Sequence, residues 1–172
     1  GRGIIKVSAL EDSEKKITAP AKVFQSQEEV IKAFEKDELN ADTIIVVKGQ
    51  GPSANGMPEL HKLTSIIGVL RARGHEIALI TDGRMSGASG SVPAVIHITP
   101  EAKNLGAIGL INNGDLIELD IKEGTFKLLV ENNILEKRTH AEINHSHQGI
   151  GRELFKSFRE KVSSVETGAS IF

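Results

Sequence analysis

The sequence predicts one mixed α/β domain, rich in strands, in which helices flank a closed or partly closed barrel. Three observations support this prediction. In the first half of the chain, apolar runs typical of buried strands alternate with segments of helical periodicity. Two of those runs lead into glycine-rich loops, at 48–57 and 81–90. In the second half, short apolar runs are separated by turn residues, which is typical of an antiparallel meander.

Length and composition limit the possible functions. The chain has 172 residues, 39% of them hydrophobic, and a net charge of -2. A single domain of this size can bury on the order of 70% of its unfolded surface. The charge balance provides no electrostatic reason to expect nucleic acid or an anionic membrane as a partner. Aromatic residues make up only 3%, all of them Phe, so we expect an aliphatic core without base-stacking platforms.

The chain contains no cysteine. Within these residues this excludes disulfides, a thiol nucleophile and a cysteine-ligated cluster. No apolar run approaches 18 residues, and the first residues, GRGIIKVSAL, lack the apolar region of a signal peptide. We therefore expect a soluble cytoplasmic protein. The start without Met leads us to expect that the chain is a fragment of a longer protein.

The first half of the chain reads as strands alternating with helices. Ser26 and Glu29 have the spacing of a capping box, which predicts a helix start. Pro58 suits the first turn of a second helix, and Gly74 suits its C-terminal cap. Strand, glycine-rich loop, helix and strand form a βαβ-like unit, so the two loops should share one sheet edge if the strands are parallel. The predicted strands are 3–9, 21–24, 43–47 and 77–80, and the predicted helices are 27–36 and 58–73.

The second half reads as a strand, a meander and two helices. Asn112–Asp115 and 122–124 are turn-rich breaks between apolar runs. Leu154, Phe155 and Phe158 are expected to face inward from the last helix, with a loose tail of ten residues after it. The predicted strands are 92–98, 107–111, 116–121 and 125–130, the predicted helices are 132–138 and 151–162, and 140–149 is expected to be a loop.

Several residue groups suggest chemistry without specifying it. His145 and His147, with His140 nearby, could bind a metal, but without a matched ligand spacing a solvated loop is favoured. His97 is a weak candidate because it lies near the second loop in sequence. The serine of that loop, Ser86, lacks the nucleophile-elbow spacing of hydrolases. The glycines of the first loop resemble a phosphate cradle, but Glu59 in the following helix turn would repel an anion.

Two longer segments carry a resemblance to a known family. GPSANGMPELHKLT at 51–64 and LITDGRMSGASGSVPAVIHITPEA at 79–102 resemble the signature blocks of the C-terminal domain of dihydroxy-acid and phosphogluconate dehydratases, and GRELF at 151–155 resembles a shorter third block. The resemblance spans essentially the whole chain. The segments ANGMPELHK and MSGASG are more similar to the phosphogluconate branch of the family than to the dihydroxy-acid branch. The fold that this implies is a swivelling β/β/α barrel-like domain with flanking helices.

The resemblance also implies an activity and its cofactors. It implies dehydration of 6-phospho-D-gluconate in the Entner-Doudoroff pathway, by a hydro-lyase that is typically a homodimer. The family uses an iron-sulfur cluster, expected to be 4Fe-4S, whose cysteines lie in an N-terminal domain of the same polypeptide. Where a magnesium ion is present, most of its ligands are expected to come from that N-terminal domain. This chain, which has no cysteine, is therefore expected to be inactive alone.

The same resemblance assigns expected roles to individual residues. Ser86 is the expected base, a role that needs a nearby cation because a serine hydroxyl is otherwise a poor base. Glu59 is the expected metal ligand. Asp82 and Arg84 are expected to position the loop or the substrate carboxylate. Asn55 and Ser89 are weaker candidates for substrate contacts.

Two hypotheses remain open from the sequence. The chain is either one wall of the active site of a phosphogluconate dehydratase, or of a related dihydroxy-acid or sugar-acid dehydratase, or it is a module that binds an acidic sugar without chemistry.

Overall fold

The computed structural model describes residues 1–6, 16–86, 92–143 and 151–172. Its seven strands form one sheet in the order β1-β5-β4-β3-β2-β6-β7, which curls into a half-barrel with β1 and β7 at its edges. The strands are β1 (Arg2–Lys6), β2 (Lys16–Phe24), β3 (Thr43–Val47), β4 (Ile77–Thr81), β5 (Ala94–Thr99), β6 (Leu116–Asp120) and β7 (Thr125–Leu128). The predicted mixed α/β fold with a partly closed barrel is confirmed.

In the described residues, five helices and three short 3-10 helices flank the sheet. The helices are α1 (Gln27–Glu35), α2 (Pro52–Asn55), α3 (Lys62–Ala72), α4 (Asn132–Leu135) and α5 (Lys156–Lys161), and the 3-10 helices are Ala102–Asn104, Ala107–Leu110 and Val165–Thr167. The predicted cap of α1 is confirmed, because the Glu29 N–H donates to Ser26 Oγ at 3.2 Å. None of the helices among the described residues has the length and apolar character of a membrane span.

Strand β2 joins the parallel and antiparallel parts of the sheet. Its first residues, from Lys16 to Pro20, pair antiparallel with β6, and its last, from Ala21 to Phe24, pair parallel with β3. β3 and β4 are also parallel, and each residue of both is buried. A parallel strand covered on both faces needs a continuous apolar run, and this explains the β-branched run of β3. The two glycine-rich loops therefore do leave the sheet at one edge, as predicted.

The core has two layers, one on each face of the sheet. Ile45 and Val47 of β3 point to the face covered by α1 and α3, while Ile44 and Val46 point to the opposite face. Ile108 packs in that second layer and lies in a 3-10 helix, so the strand predicted at 107–111 is wrong. A short apolar run that is fully buried has the same composition in a strand and in a tight helical turn.

Two predicted helices begin later than expected. The helix predicted at 58–73 starts at Lys62, as α3, because Glu59 pairs with Arg84 as a β-bridge. Pro52, rather than Pro58, is the first residue of a helix, the short α2. Residues 151–155 form turns before α5, and the side chains of Leu154, Phe155 and Phe158 are 71%, 50% and 44% exposed rather than inward. The last ten residues are not a loose tail, because they include the 3-10 helix Val165–Thr167, which packs on β5.

Gly106 and Gly68 provide a matched test of packing in this fold. A Cβ at Gly106 would lie 1.7 Å from the Pro100 carbonyl oxygen, whereas a Cβ at Gly68, in α3, would meet nothing within 4 Å. Gly106→Ala should therefore lower the free energy of unfolding by about 3 kcal/mol or more, since backbone cannot yield as a side chain can. Gly68→Ala should raise it by roughly 0.5–1 kcal/mol. Urea denaturation of both variants checks this pair, and equal effects would contradict the packing described.

The Asp115–Arg138 ion pair should contribute less to the stability of the fold at acid pH than at neutral pH. Arg138 donates from Nη1 to Asp115 Oδ2 at 2.5 Å and from Nη2 to Oδ1 at 2.8 Å, and its hydrogen bonds hold the pKa of Asp115 below its ordinary value. A lowered folded-state pKa contributes stability above the unfolded pKa of about 3.9 and loses it as pH falls through the folded value. Arg138→Met should therefore lower the melting temperature at pH 7, and this difference from wild type should shrink towards pH 2. Arg2→Met, at an exposed pair, should show little effect at either pH.

Candidate functional site at the carboxyl edge of β3 and β4

A buried carboxylate, that of Asp82, holds the two glycine-rich loops together. Asp82 follows β4 and is 0% exposed. It accepts hydrogen bonds from the backbone N–H groups of Gly49 at 3.0 Å, Gln50 at 2.8 Å and Ala102 at 2.9 Å. Burial raises the pKa of Asp82, while the three N–H donors oppose that rise. Because both oxygens of Asp82 are engaged by the backbone, its contribution is to position the loops.

A second carboxylate, that of Glu101, fills the N-terminus of α2. Glu101 Oε1 accepts from the Ser53 N–H at 3.0 Å and from Ser53 Oγ at 2.7 Å, and Oε2 accepts from the Ala54 N–H at 2.9 Å. A Cβ at Gly51 would lie 2.3 Å from Glu101 Oε2, so glycine is needed there to admit the carboxylate. The resemblance of this loop to a phosphate cradle is thereby explained, because an internal anion already occupies the helix terminus.

Arg84 and Glu59, both singled out from the sequence, are brought together by the fold. Arg84 Nη1 lies 3.2 Å from Glu59 Oε2, and Arg84 Nε donates to the Met57 carbonyl oxygen at 3.1 Å. We expected Glu59 in the first turn of a helix. The structure instead places it in a β-bridge with Arg84, before the start of α3. The two side chains stay 33% and 45% exposed, for Glu59 and Arg84 respectively, so solvent or a ligand can reach both.

Ser86 is partly buried at the end of the described part of the second loop. Its carbonyl oxygen accepts a hydrogen bond of 2.7 Å from Lys6 Nζ of the edge strand β1. Burial lowers the pKa of Lys6, which is only 9% exposed. The fold thus brings an ammonium group to the backbone of the expected base, from a lysine 80 residues away.

The remaining candidates divide between the site and its surroundings. Asn55 lies at the end of α2, where its Nδ2 donates to Gln50 Oε1 at 3.0 Å. His97 lies beside the second loop, because its N–H donates to the Gly83 carbonyl oxygen at 2.9 Å. Burial, and then the nearby Arg84, lower the pKa of His97. Ser89, His145 and His147 lie outside the described residues.

Sequence reasoning missed Lys6 and Glu101. A lysine in an edge strand and a glutamate after a strand have no distinguishing local pattern, since their partners are far along the chain. The TPEA turn at 99–102, directly after β5, is the one local signal that could have indicated Glu101. In the described segments, no group of three or more His, Cys, Asp or Glu residues is arranged to hold a metal ion.

Comparison with known proteins identifies relatives over the full extent of the chain. The model of the family described as dihydroxy-acid/6-phosphogluconate dehydratase C-terminal matches residues 1–169. The phosphogluconate dehydratase of Zymomonas mobilis is 48% identical over 169 residues, which is 98% of this chain and 28% of that protein. That of Rhizobium meliloti is 47% identical over 99% of this chain and 28% of its own length. A dihydroxy-acid dehydratase of Wolinella succinogenes is 34% identical over 96% and 29%. The chain thus spans little more than a quarter of these relatives.

Asp82→Asn tests the carboxylate that joins the loops. An amide has one acceptor oxygen, so its NH₂ group must face at least one of the three buried N–H donors, and the free energy of unfolding should fall by roughly 2 kcal/mol or more. Asp37→Asn, at an exposed position with a φ of 55° that Asn tolerates, should change it by less than about 0.5 kcal/mol. Thermal and urea unfolding measure both, and equal stability of the two variants would contradict this role.

Proposed function

Because the chain belongs to the dihydroxy-acid/6-phosphogluconate dehydratase C-terminal family, we propose that it is the C-terminal domain of a 6-phosphogluconate dehydratase. The observation that carries the proposal is the difference in identity between the two branches. The phosphogluconate dehydratases of Zymomonas mobilis and Rhizobium meliloti are 48% and 47% identical to this chain, against 34% for the dihydroxy-acid dehydratase of Wolinella succinogenes.

The proposed reaction removes water from 6-phospho-D-gluconate. A proton leaves C2 and the hydroxyl leaves C3, which yields 2-dehydro-3-deoxy-6-phosphogluconate, the committing step of the Entner-Doudoroff pathway. The chain would supply one wall of the active site. Its relatives are more than three times as long, and this supports a partner domain in the same polypeptide as the opposite wall.

We assign proton removal at C2 to Ser86 in its deprotonated form, which a cation held by the rest of the polypeptide would stabilise. Ser86 lies in the loop that follows the buried strand β4, at the carboxyl edge where open α/β sheets bind ligands. Asp82 holds the start of this loop, and Lys6 holds the Ser86 carbonyl oxygen. A base fixed in this way at two points keeps its geometry, and preorganisation of that kind favours proton transfer.

Arg84 is the proposed partner of the substrate carboxylate. Glu59 fixes its guanidinium through Nη1, and the Met57 carbonyl fixes it through Nε. A planar guanidinium held on one side can still present its other N–H groups to a carboxylate. Asn55 and Ser89 are further proposed substrate contacts.

The residues of this chain do not by themselves fit a metal centre or a cluster. The chain has no cysteine, and the described residues form no group of metal ligands. The one candidate ligand, Glu59, has its carboxylate engaged by Arg84. We therefore propose that the 4Fe-4S cluster and the magnesium ion are bound by the rest of the polypeptide. Cytoplasmic location and a homodimer are proposed on the family resemblance alone.

Ser86→Ala in the full-length protein tests the catalytic assignment. Loss of a general base should lower kcat for 6-phosphogluconate by about 10²- to 10⁴-fold while KM changes little. The matched control is Ser65→Ala, because Ser65 is an exposed serine of α3 that has no assigned role in the reaction, and this variant should keep wild-type kinetics. Initial rates of 2-keto acid formation measure both variants. A wild-type rate in Ser86→Ala would show that another group removes the proton.

A further inference from the structure

A cavity of about 480 Å³ lies between α2 and the C-terminal segment, beside the proposed active site. Phe155 and Phe158 contribute apolar surface to it, with their rings 5.5 Å apart in an edge-to-face arrangement. These are two of the side chains that the sequence predicts to point inward. Instead they line an open cavity, which is large enough for a small sugar acid.

The charge of the cavity is positive. Arg152 and Arg159 both line it and are partly buried, and the described residues that line it include no Asp or Glu. Arg159 Nη2 donates to the Arg152 carbonyl oxygen at 2.9 Å, and this anchors the Arg159 guanidinium at the wall. Two like charges that share a cavity repel each other, and a bound anion relieves that repulsion. Paired arginines match a phosphate group best, because each guanidinium can donate two parallel hydrogen bonds.

Asn55 also lines the cavity. Its Nδ2 donates to Gln50 Oε1 at 3.0 Å, and its Oδ1 is buried without a hydrogen-bond donor among the described residues. The wall of the cavity therefore combines two guanidinium groups with one amide side chain.

The cavity is adjacent to the proposed reacting end of the substrate. Met57 lines it, and the carbonyl oxygen of Met57 accepts from Arg84 Nε at 3.1 Å. In a phosphorylated sugar acid the phosphate is separated from the reacting carbons by a short chain that carries hydroxyl groups. A carboxylate at Arg84 and a phosphate in the cavity would thus be the two ends of one molecule.

We propose that Arg152 and Arg159 bind the phosphate monoester of a phosphorylated sugar acid. This inference rests on the proposed function, which it extends by assigning the phosphate subsite. The arginines then set the preference for phosphorylated over unphosphorylated sugar acids. They act on binding, because the phosphate takes no part in the elimination.

The test uses Arg152→Met and Arg159→Met in the full-length protein, with Lys161→Met as the matched control. Lys161 is an exposed cation at the end of the same helix, α5, and is not part of the cavity lining. Each arginine variant should raise KM for 6-phosphogluconate by about 10- to 100-fold, as expected for lost hydrogen bonds to a charged group, with kcat changed far less. The inhibition constant of inorganic phosphate should rise with KM. Lys161→Met should leave both values as in wild type.

Calorimetric titration separates this inference from the proposed function. We expect 6-phosphogluconate to bind wild type more tightly than gluconate does, and both arginine variants to lose most of that difference. If wild type binds 6-phosphogluconate but dehydrates nothing, the proposed function is wrong, and the loss of binding in the arginine variants still supports the phosphate site. If the arginine variants keep the wild-type preference for the phosphorylated ligand, or lose affinity for both ligands equally, the phosphate site is wrong.

Discussion

The buried carboxylate of Asp82 is the interaction on which the site depends. Its two oxygens accept three backbone N–H groups, from the first glycine-rich loop and from the turn after β5. Isolated, a buried charge would be very costly, and an N–H group without an acceptor would also be costly. Together they satisfy one another and hold three loops at one edge of the sheet. Ser86, Arg84 and the loop of Asn55 take their positions from this arrangement.

Glu101 is a second buried carboxylate that accepts backbone N–H groups, in this case at the start of α2. Its carboxylate accepts the N–H groups of Ser53 and Ala54 at the start of α2, and Asn55 lies at the other end of that helix. The result is a wall made of backbone and internal carboxylates, with the partly exposed side chains of Glu59 and Arg84 on its outer surface. The chain that forms this wall spans 28% of the length of the two phosphogluconate dehydratases compared above.

The exposed aromatic side chains show the limit of an argument from helical periodicity. Phe155 and Phe158 have the spacing of a core-facing helix, but in the described residues they border a cavity with Arg152 and Arg159. Helical periodicity identifies an apolar face but does not identify its partner. On our proposal, the apolar face of Phe155 and Phe158 contacts a ligand. The neighbouring arginines indicate this, and a count of hydrophobic periodicity does not include them.

The sequence by itself determined the strands β3 and β4, the two loops that follow them and the capped start of α1, because hydrophobic period, glycine and capping residues act locally. It could not determine the start of α3 or the 3-10 helix Ala107–Leu110, where a β-bridge and the core override local preference. Only the tertiary structure placed Lys6 against Ser86 and Glu59 against Arg84. These contacts join residues 80 and 25 positions apart, and such pairings depend on how the sheet brings its strands together, which no local pattern encodes.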